Sequence, residues 1–234
     1  MVRALALLAA LAAAAPAGAE CRLALVLALD VSSSVNARED RLQRDGVASA
    51  LLSPEVRAAL LAAPETPVAL AVYEWSGRYQ QDMVLNWLEL SSPGAILRAA
   101  RTVQGSKRRY AEFPTAMGYG IGYAAKVFRA APDCLARTLD VSGDGVNNDG
   151  FGPRLAYENF ALDGVTVNGL AIGGATENDR EVFDFYRDEV IRGPGAFVET
   201  ATSFADYERV MRRKLFREVQ SRVVGGTSPA VSGG

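Results

Sequence analysis

The stretch LVLALDVSSSVN, Leu25 to Asn36, runs from five aliphatic residues straight into an aspartate and then three consecutive serines. A short run that is apolar on both faces reads as a strand buried inside a parallel sheet. Its ending is unusual for such a strand, because a carboxylate and a row of hydroxyls follow at once. Asp30, Ser32 and Ser34 occupy alternate positions, so in an extended or turning segment their side chains project together while Val31 and Ser33 face elsewhere. Three converging oxygens, one anionic and two neutral, suit a hard cation such as Mg²⁺, Mn²⁺ or Ca²⁺ and suit zinc or copper badly. A competing reading makes the same residues an N-terminal cap for a helix that starts near Asn36.

Outward from this stretch, strand and helix patterns alternate. The first strand pattern covers 21–30, and helical spacing follows over 36–56 with Asn36 as the N-cap. Strand patterns at 66–77 and 81–90 precede helical patterns at 92–103 and 115–131. A strand at 136–143, a helix at 153–164, a strand at 165–174, a helix at 177–192, a short strand at 195–201 and a helix at 203–220 complete the order. This alternation predicts an α/β, Rossmann-like three-layer sandwich, with a mainly parallel central sheet and helices on both faces. In such sheets ligands sit at the C-terminal ends of the strands, near the point where strand order reverses. Chemistry is therefore expected where strands hand over to loops.

Residues 1–19 combine Arg3, a short Ala/Leu core, Pro16 and an Ala17-Gly18-Ala19 step, the pattern of a secretory signal peptide cleaved after Ala19. About a dozen apolar residues are too few for a bilayer core that needs roughly 20. Lipid anchoring at Cys21 is the other reading, with Glu20 an awkward residue ahead of it. The expected organisation is a signal peptide (1–19), one domain (20–221) and a Gly/Ser/Pro-rich disordered tail (222–234). The protein is then exported, periplasmic or secreted, without stable membrane insertion after cleavage. Net charge is −2 with both signs interspersed, which argues against nucleic acid or an anionic membrane surface as partner. The short basic run Lys107-Arg108-Arg109 reads as a solvated loop. With no histidine in the chain, Ser-His-Asp and Cys-His catalysis and imidazole-built zinc hydrolase sites are excluded. The two cysteines, Cys21 and Cys134, stand nine positions before Asp30 and ten before Asp144. If the strands closed by those aspartates are parallel neighbours, the cysteines meet at the opposite edge and form a disulfide in an oxidising compartment; two free thiols are the alternative.

Further oxygens are expected from a helix-start loop and from a second strand end. Thr115 follows Pro114 at the start of a helical pattern, and Asp144 sits in the turn Ser142-Gly143-Asp144-Gly145, where the glycines are expected to permit a tight backbone path. Asp30-x-Ser32-x-Ser34, then Thr115, then Asp144 resembles the metal-ion-dependent adhesion site of the von Willebrand factor type A (vWA) domain family. The likeness spans about Cys21 to Gln220. The segments LALDVSSSV, VYEWSG, LDVSGDGVNN and GPGAFV further resemble a bacterial exported subgroup catalogued as a domain of unknown function.

That resemblance implies hydroxyl ligation by Ser32, Ser34 and Thr115, with Asp30 and Asp144 binding directly or through water. It leaves one coordination position for a Glu or Asp carboxylate of a protein partner. Asp144 follows a glycine where the family more often has Thr-Asp-Gly; Asp140, inside its strand, is the rival and reads as structural. The family order also places Glu74, Trp75 and Ser76 on the rim of the site, with Trp75 either an exposed anchor or packed under a helix. Asn147 and Asn148 belong to the same rim, or only to an Asx-rich turn. The function expected is a non-enzymatic, cation-dependent binding module. The alternatives are a Mg²⁺-dependent phosphoesterase, disfavoured by Ser32 standing where a second acid is usual, and a structural or assembly protein with a vestigial site.

Overall fold

A computed structural model of the chain describes residues 21–173 and 180–220. The expected signal peptide, the expected tail and the first residues of the helix expected from 177 lie outside the described residues. Within them a single sheet runs through strands β1 (Leu23–Asp30), β2 (Val68–Trp75), β3 (Gln81–Glu89), β4 (Arg137–Gly143), β5 (Val165–Ile172) and β6 (Val198–Ala201). Their spatial order is β3-β2-β1-β4-β5-β6. All pairings are parallel except β2 with β3, which is antiparallel. The helices are α1 (Ala37–Leu52), α2 (Pro54–Leu60), α3 (Pro93–Gly105), α4 (Met117–Arg129), α5 (Pro153–Asn159), α6 (Arg180–Phe185) and α7 (Tyr207–Gln220).

The aliphatic run of β1 is buried along its whole length because it lies at the centre of the sheet and is covered on both faces. Its pleat sorts large from small. Leu23, Leu25, Leu27 and Leu29 face a core shared with α1, α2, α3 and α7. Ala24, Val26 and Ala28 face a second core with α4, α5 and Tyr186. Alternation of this kind follows from the two-residue period of a strand. Each buried leucine contributes about 1.5–3 kcal/mol relative to an exposed one.

One expected helix is two. The pattern over 36–56 breaks because Pro54 disfavours a helical residue before it, and Ser53 is extended (φ −62°, ψ 146°) before α2 begins at Pro54. The expected helix at 177–192 also changes character: α6 ends at Phe185 and a π-helical turn covers Tyr186–Val190. Such turns occur often at functional sites.

Strand order reverses between β1 and β4, since β2 and β3 lie on one side and β5 and β6 on the other. The C-terminal ends of those two strands carry Asp30 and the Gly143-Asp144 step. At the opposite edge, Cys21 and Cys134 form a disulfide and a parallel bridge just ahead of β1 and β4, as the spacing of the cysteines predicts.

Candidate metal site

At the end of β1 the chain turns sharply. Asp30 Oδ1 accepts from the backbone N–H of Ser32 at 2.7 Å, and Val35 N–H donates to the Ser32 carbonyl at 3.0 Å. Helix α1 starts two residues later, with Asn36 Oδ1 accepting from the N–H groups of Arg38 and Glu39, and Glu39 closing a capping box on Asn36 N–H. The helix terminus is thus satisfied by Asn36 and Glu39, and neither Ser32 nor Ser34 is spent on capping.

The two serines meet each other and the second acid. Ser32 Oγ lies 3.1 Å from Ser34 Oγ, and Ser34 Oγ donates to Asp144 Oδ1 at 2.7 Å. Asp30 and Ser32 are buried, Ser34 is exposed and Asp144 is half-buried, so the cluster opens outward through Ser34 and Asp144. Thr115, 3% exposed, is tied to the Asp144 loop by a reciprocal pair: its N–H donates to Asn148 Oδ1 at 2.9 Å, and Asn148 N–H donates to its carbonyl at 3.0 Å. Thr115 Oγ1 lies 3.7 Å from the point a Cβ on Gly145 would occupy. The structure therefore brings Asp30, Ser32, Ser34, Thr115 and Asp144 into one cluster of loops.

The cluster carries more negative potential than its own hydrogen bonds satisfy. Asp30 Oδ2 is fully buried with no hydrogen-bond partner. Burial and the nearby Asp144 charge push the Asp30 pKa up to about 7, against the pull of the Ser32 hydrogen bonds and Arg108. Burial also raises Asp144, opposed by the Ser34 hydrogen bond. Two carboxylates held close in this way favour an added cation. No group of three or more His, Cys, Asp or Glu among the described residues could hold a metal, so an ion here would rest on two acids supplemented by hydroxyls.

Gly143 is required for close approach. A Cβ there would stand 2.6 Å from Asp30 Oδ2 and 2.8 Å from Tyr186 Oη. Neither Gly143 nor Gly145 has a positive φ, which corrects the expectation that both serve a tight backbone path. Tyr186, missed in the sequence, arrives on the π-helical turn with its hydroxyl buried and unpartnered. Burial and the Asp30 charge push its phenol well up.

Arg108 corrects the solvated-loop reading of the basic run. Its guanidinium donates to the carbonyls of Val31, Ser32 and Val35 and, through Nε, to that of Tyr110, stitching the serine loop from beneath. Lys107 is exposed, and Arg109 pairs with Asp82 at the surface.

The expected rim residues of β2 lie beneath the surface. Glu74 is 2% exposed and ion-paired with Arg44 at 2.6 Å, and Arg44 also holds Asp40 at 2.9 Å. Trp75 is 1% exposed because α4 closes over it: a Cβ on Gly120 would stand 2.8 Å from the indole. Ser76 is wholly buried with its hydroxyl unpartnered. None of the three presents a contact surface. Asn147 and Asn148 do reach the surface, and both hold the α4 entrance, Asn147 Oδ1 accepting from Gly118 N–H at 3.4 Å. Asp140 is 2.7 Å from Lys214, which also pairs with Glu218, in a buried cluster under α7.

A family model described as "Protein of unknown function (DUF1194)" matches residues 20–223. Among solved structures the chain is similar to proximal thread matrix protein 1 from the mussel byssus in a form with a zinc-occupied MIDAS motif (TM-score 0.58, 17% identity, covering 88% of this chain and 48% of that one). It is also similar to a von Willebrand factor type A protein from Catenulispora acidiphila (TM-score 0.60, 16% identity, 85% and 43%). A third likeness is to the pilus adhesin SpaC from Lactobacillus rhamnosus GG (TM-score 0.61, 13% identity, 86% and 31%). The chain spans less than half the length of each of these three. No curated protein matches it. Likenesses at this identity establish the fold, which is that of a vWA domain.

Proposed function

Because this chain belongs to the family described as "Protein of unknown function (DUF1194)" and has a vWA fold, we propose that it is a non-enzymatic module that binds an acidic group of a protein partner through a divalent cation. The observation that carries this reading is the buried, unpartnered Asp30 Oδ2 beside a second carboxylate and converging hydroxyls. The residues fit a hard cation: Ser32, Ser34 and Thr115 offer neutral oxygens, and Asp30 and Asp144 offer charge. The ion would supply an electrophilic point for a third carboxylate, because two acids leave it with little surplus charge but hydroxyls do not quench it. Mg²⁺ is the first candidate, with Mn²⁺ and Ca²⁺ as the alternatives.

Three basic groups are engaged with other partners, which disfavours phosphoryl transfer. Arg108 directs its donors to backbone carbonyls, Lys214 is buried against Asp140 and Glu218, and Lys126 lies over Tyr123 on α4. An exported location fits the expected signal peptide and the disulfide. No helix among the described residues is long and apolar enough to cross a membrane. Calorimetric titration with Mg²⁺, Mn²⁺ and Ca²⁺ tests the site, with Asp30→Ala as control. Heat and a raised melting temperature in the wild type only are expected; silence with all three ions removes the reading.

A further inference from the structure

A second surface feature lies beside the metal cluster, between α4 and the turn that joins β2 to β3. It is a groove of about 320 Å³ walled by Tyr119, Tyr123 and Lys126 on one side and by Arg78 and Tyr79 on the other, with Arg129 and Phe160 closing it. Tyr119, Tyr123 and Lys126 share one helix face because they stand four and three positions apart. Gly122 makes room for the Phe160 ring, which a Cβ there would meet at 2.9 Å. Tyr79 is 82% exposed and Phe160 is 40% exposed, an unusual amount of aromatic surface to leave in water.

The groove is continuous with the rim of the metal cluster. Phe151 stacks on Tyr119 at 4.1 Å and on Phe160 at 6.0 Å, and Tyr79 meets Tyr119 edge-on at 6.3 Å. Arg78 holds Asp149 at 2.7 Å. Asp149 and Phe151 belong to the loop whose Asn147 and Asn148 brace Gly118 and Thr115. The free positive charge of the groove comes from Lys126 and Arg129, since Asp149 neutralises Arg78 at its edge. No carboxylate lines the groove, and neither Lys126 nor Arg129 has an ion-pair partner among the described residues. This cationic, aromatic strip lies on a chain whose net charge is −2.

We propose that this groove is a second docking site, for an acidic segment bearing aromatic or aliphatic side chains on the protein partner. Tyrosine rings supply rigid contact area at low entropic cost, and Lys126 and Arg129 select carboxylates flanking the apolar residue. Few cations and an overall negative chain disfavour a polyphosphate backbone in the same place. The proposal rests on the adhesion reading only in assigning both sites to one partner, since the groove itself needs no ion.

The test uses the full chain immobilised for interferometry, with poly(Glu,Tyr) copolymer as probe and poly-Glu, poly(Lys,Tyr) and an oligo-dT strand as comparisons, each in Mg²⁺ and in EDTA. In EDTA, poly(Glu,Tyr) should bind wild type and Asp30→Ala alike, more tightly than any comparison probe. Lys126→Glu/Arg129→Glu and Tyr79→Ala should each weaken it at least tenfold while leaving the Mg²⁺ shift in melting temperature intact. These side chains are exposed, so the variants should fold. Unchanged binding in both variants, or tighter binding of poly-Glu or oligo-dT, overturns the groove. Absence of a Mg²⁺ shift in the wild type, with groove binding retained, would instead count against the metal reading alone.

Discussion

Replacing Gly143 with alanine, and Gly145 with alanine as its neighbour control, separates close approach from backbone freedom at the end of β4. At 143 the new methyl would enter within 2.6 Å of Asp30 Oδ2 and 3.0 Å of Asp30 Cβ, with the Tyr186 hydroxyl 2.8 Å away on another side. Asp30 Cβ moves only with its own backbone and Tyr186 is fully buried, so the Asp30 carboxylate or the π-helical turn must move. Overpacking of this kind costs about 1–3 kcal/mol. At 145 the nearest atom is Thr115 Oγ1 at 3.7 Å, an ordinary contact, and φ is not positive; the change there should stay within about 0.5 kcal/mol. Urea denaturation of both variants in EDTA measures the cost. A second series in Mg²⁺ measures the ion's stabilisation, which at an ion concentration of about 100 Kd is about 2.7 kcal/mol for wild type. Gly143→Ala should lose most of it because the displaced carboxylate is the acid that lacks a partner. Equal stability of the two variants, or a full Mg²⁺ effect in Gly143→Ala, would refute the argument.

The pH dependence has a definite sign. Folded Asp30 keeps its proton up to about pH 7, whereas an unfolded aspartate releases it near 4, so between those values stability of the metal-free protein falls as pH rises. The contribution is on the order of 4 kcal/mol, and Asp30→Asn should flatten that part of a pH series of denaturation curves. Lys214→Met should cost about 3–5 kcal/mol in the same denaturation measurement, because it leaves the buried Asp140 and Glu218 carboxyl groups without their shared cation. A Cys21→Ser/Cys134→Ser variant should lose about 4–5 kcal/mol, the chain-entropy value for a loop of 113 residues, while its calorimetric Mg²⁺ affinity stays at the wild-type value because the bridge lies at the far edge of the sheet.

What could be read in the sequence was short-range or periodic. The strand patterns repeat over two residues and the helix patterns over three or four, so the layer order followed from them. The alternate spacing of Asp30, Ser32 and Ser34 places three oxygens on one turn with no long-range information. Arg108 gives no local signal because its acceptors in the serine loop lie 73 to 77 residues away, and a basic residue in a run of three looks solvated. The family order puts Trp75 on the rim, either exposed or packed under a helix; the second holds, and it depends on Gly120, in a helix 45 positions later, letting the backbone close over the ring. Tyr186 gave no local signal, since a π-helical turn and an α-helix share the same residue preferences over so short a span. The Ser53-Pro54 break, by contrast, carries a local signal, a proline within a helical pattern.

The bridge between Cys21 and Cys134 also decides how the molecule would carry load. A load applied at Cys21 would, without it, fall first on β1, the central strand on which Asp30 is mounted. With the covalent link in place the tension divides at Cys21 and passes into the start of β4 as well. The strand bearing Asp30 and the strand leading to Asp144 are then drawn together as one unit, and traction at one edge of the sheet does not slide one acid past the other.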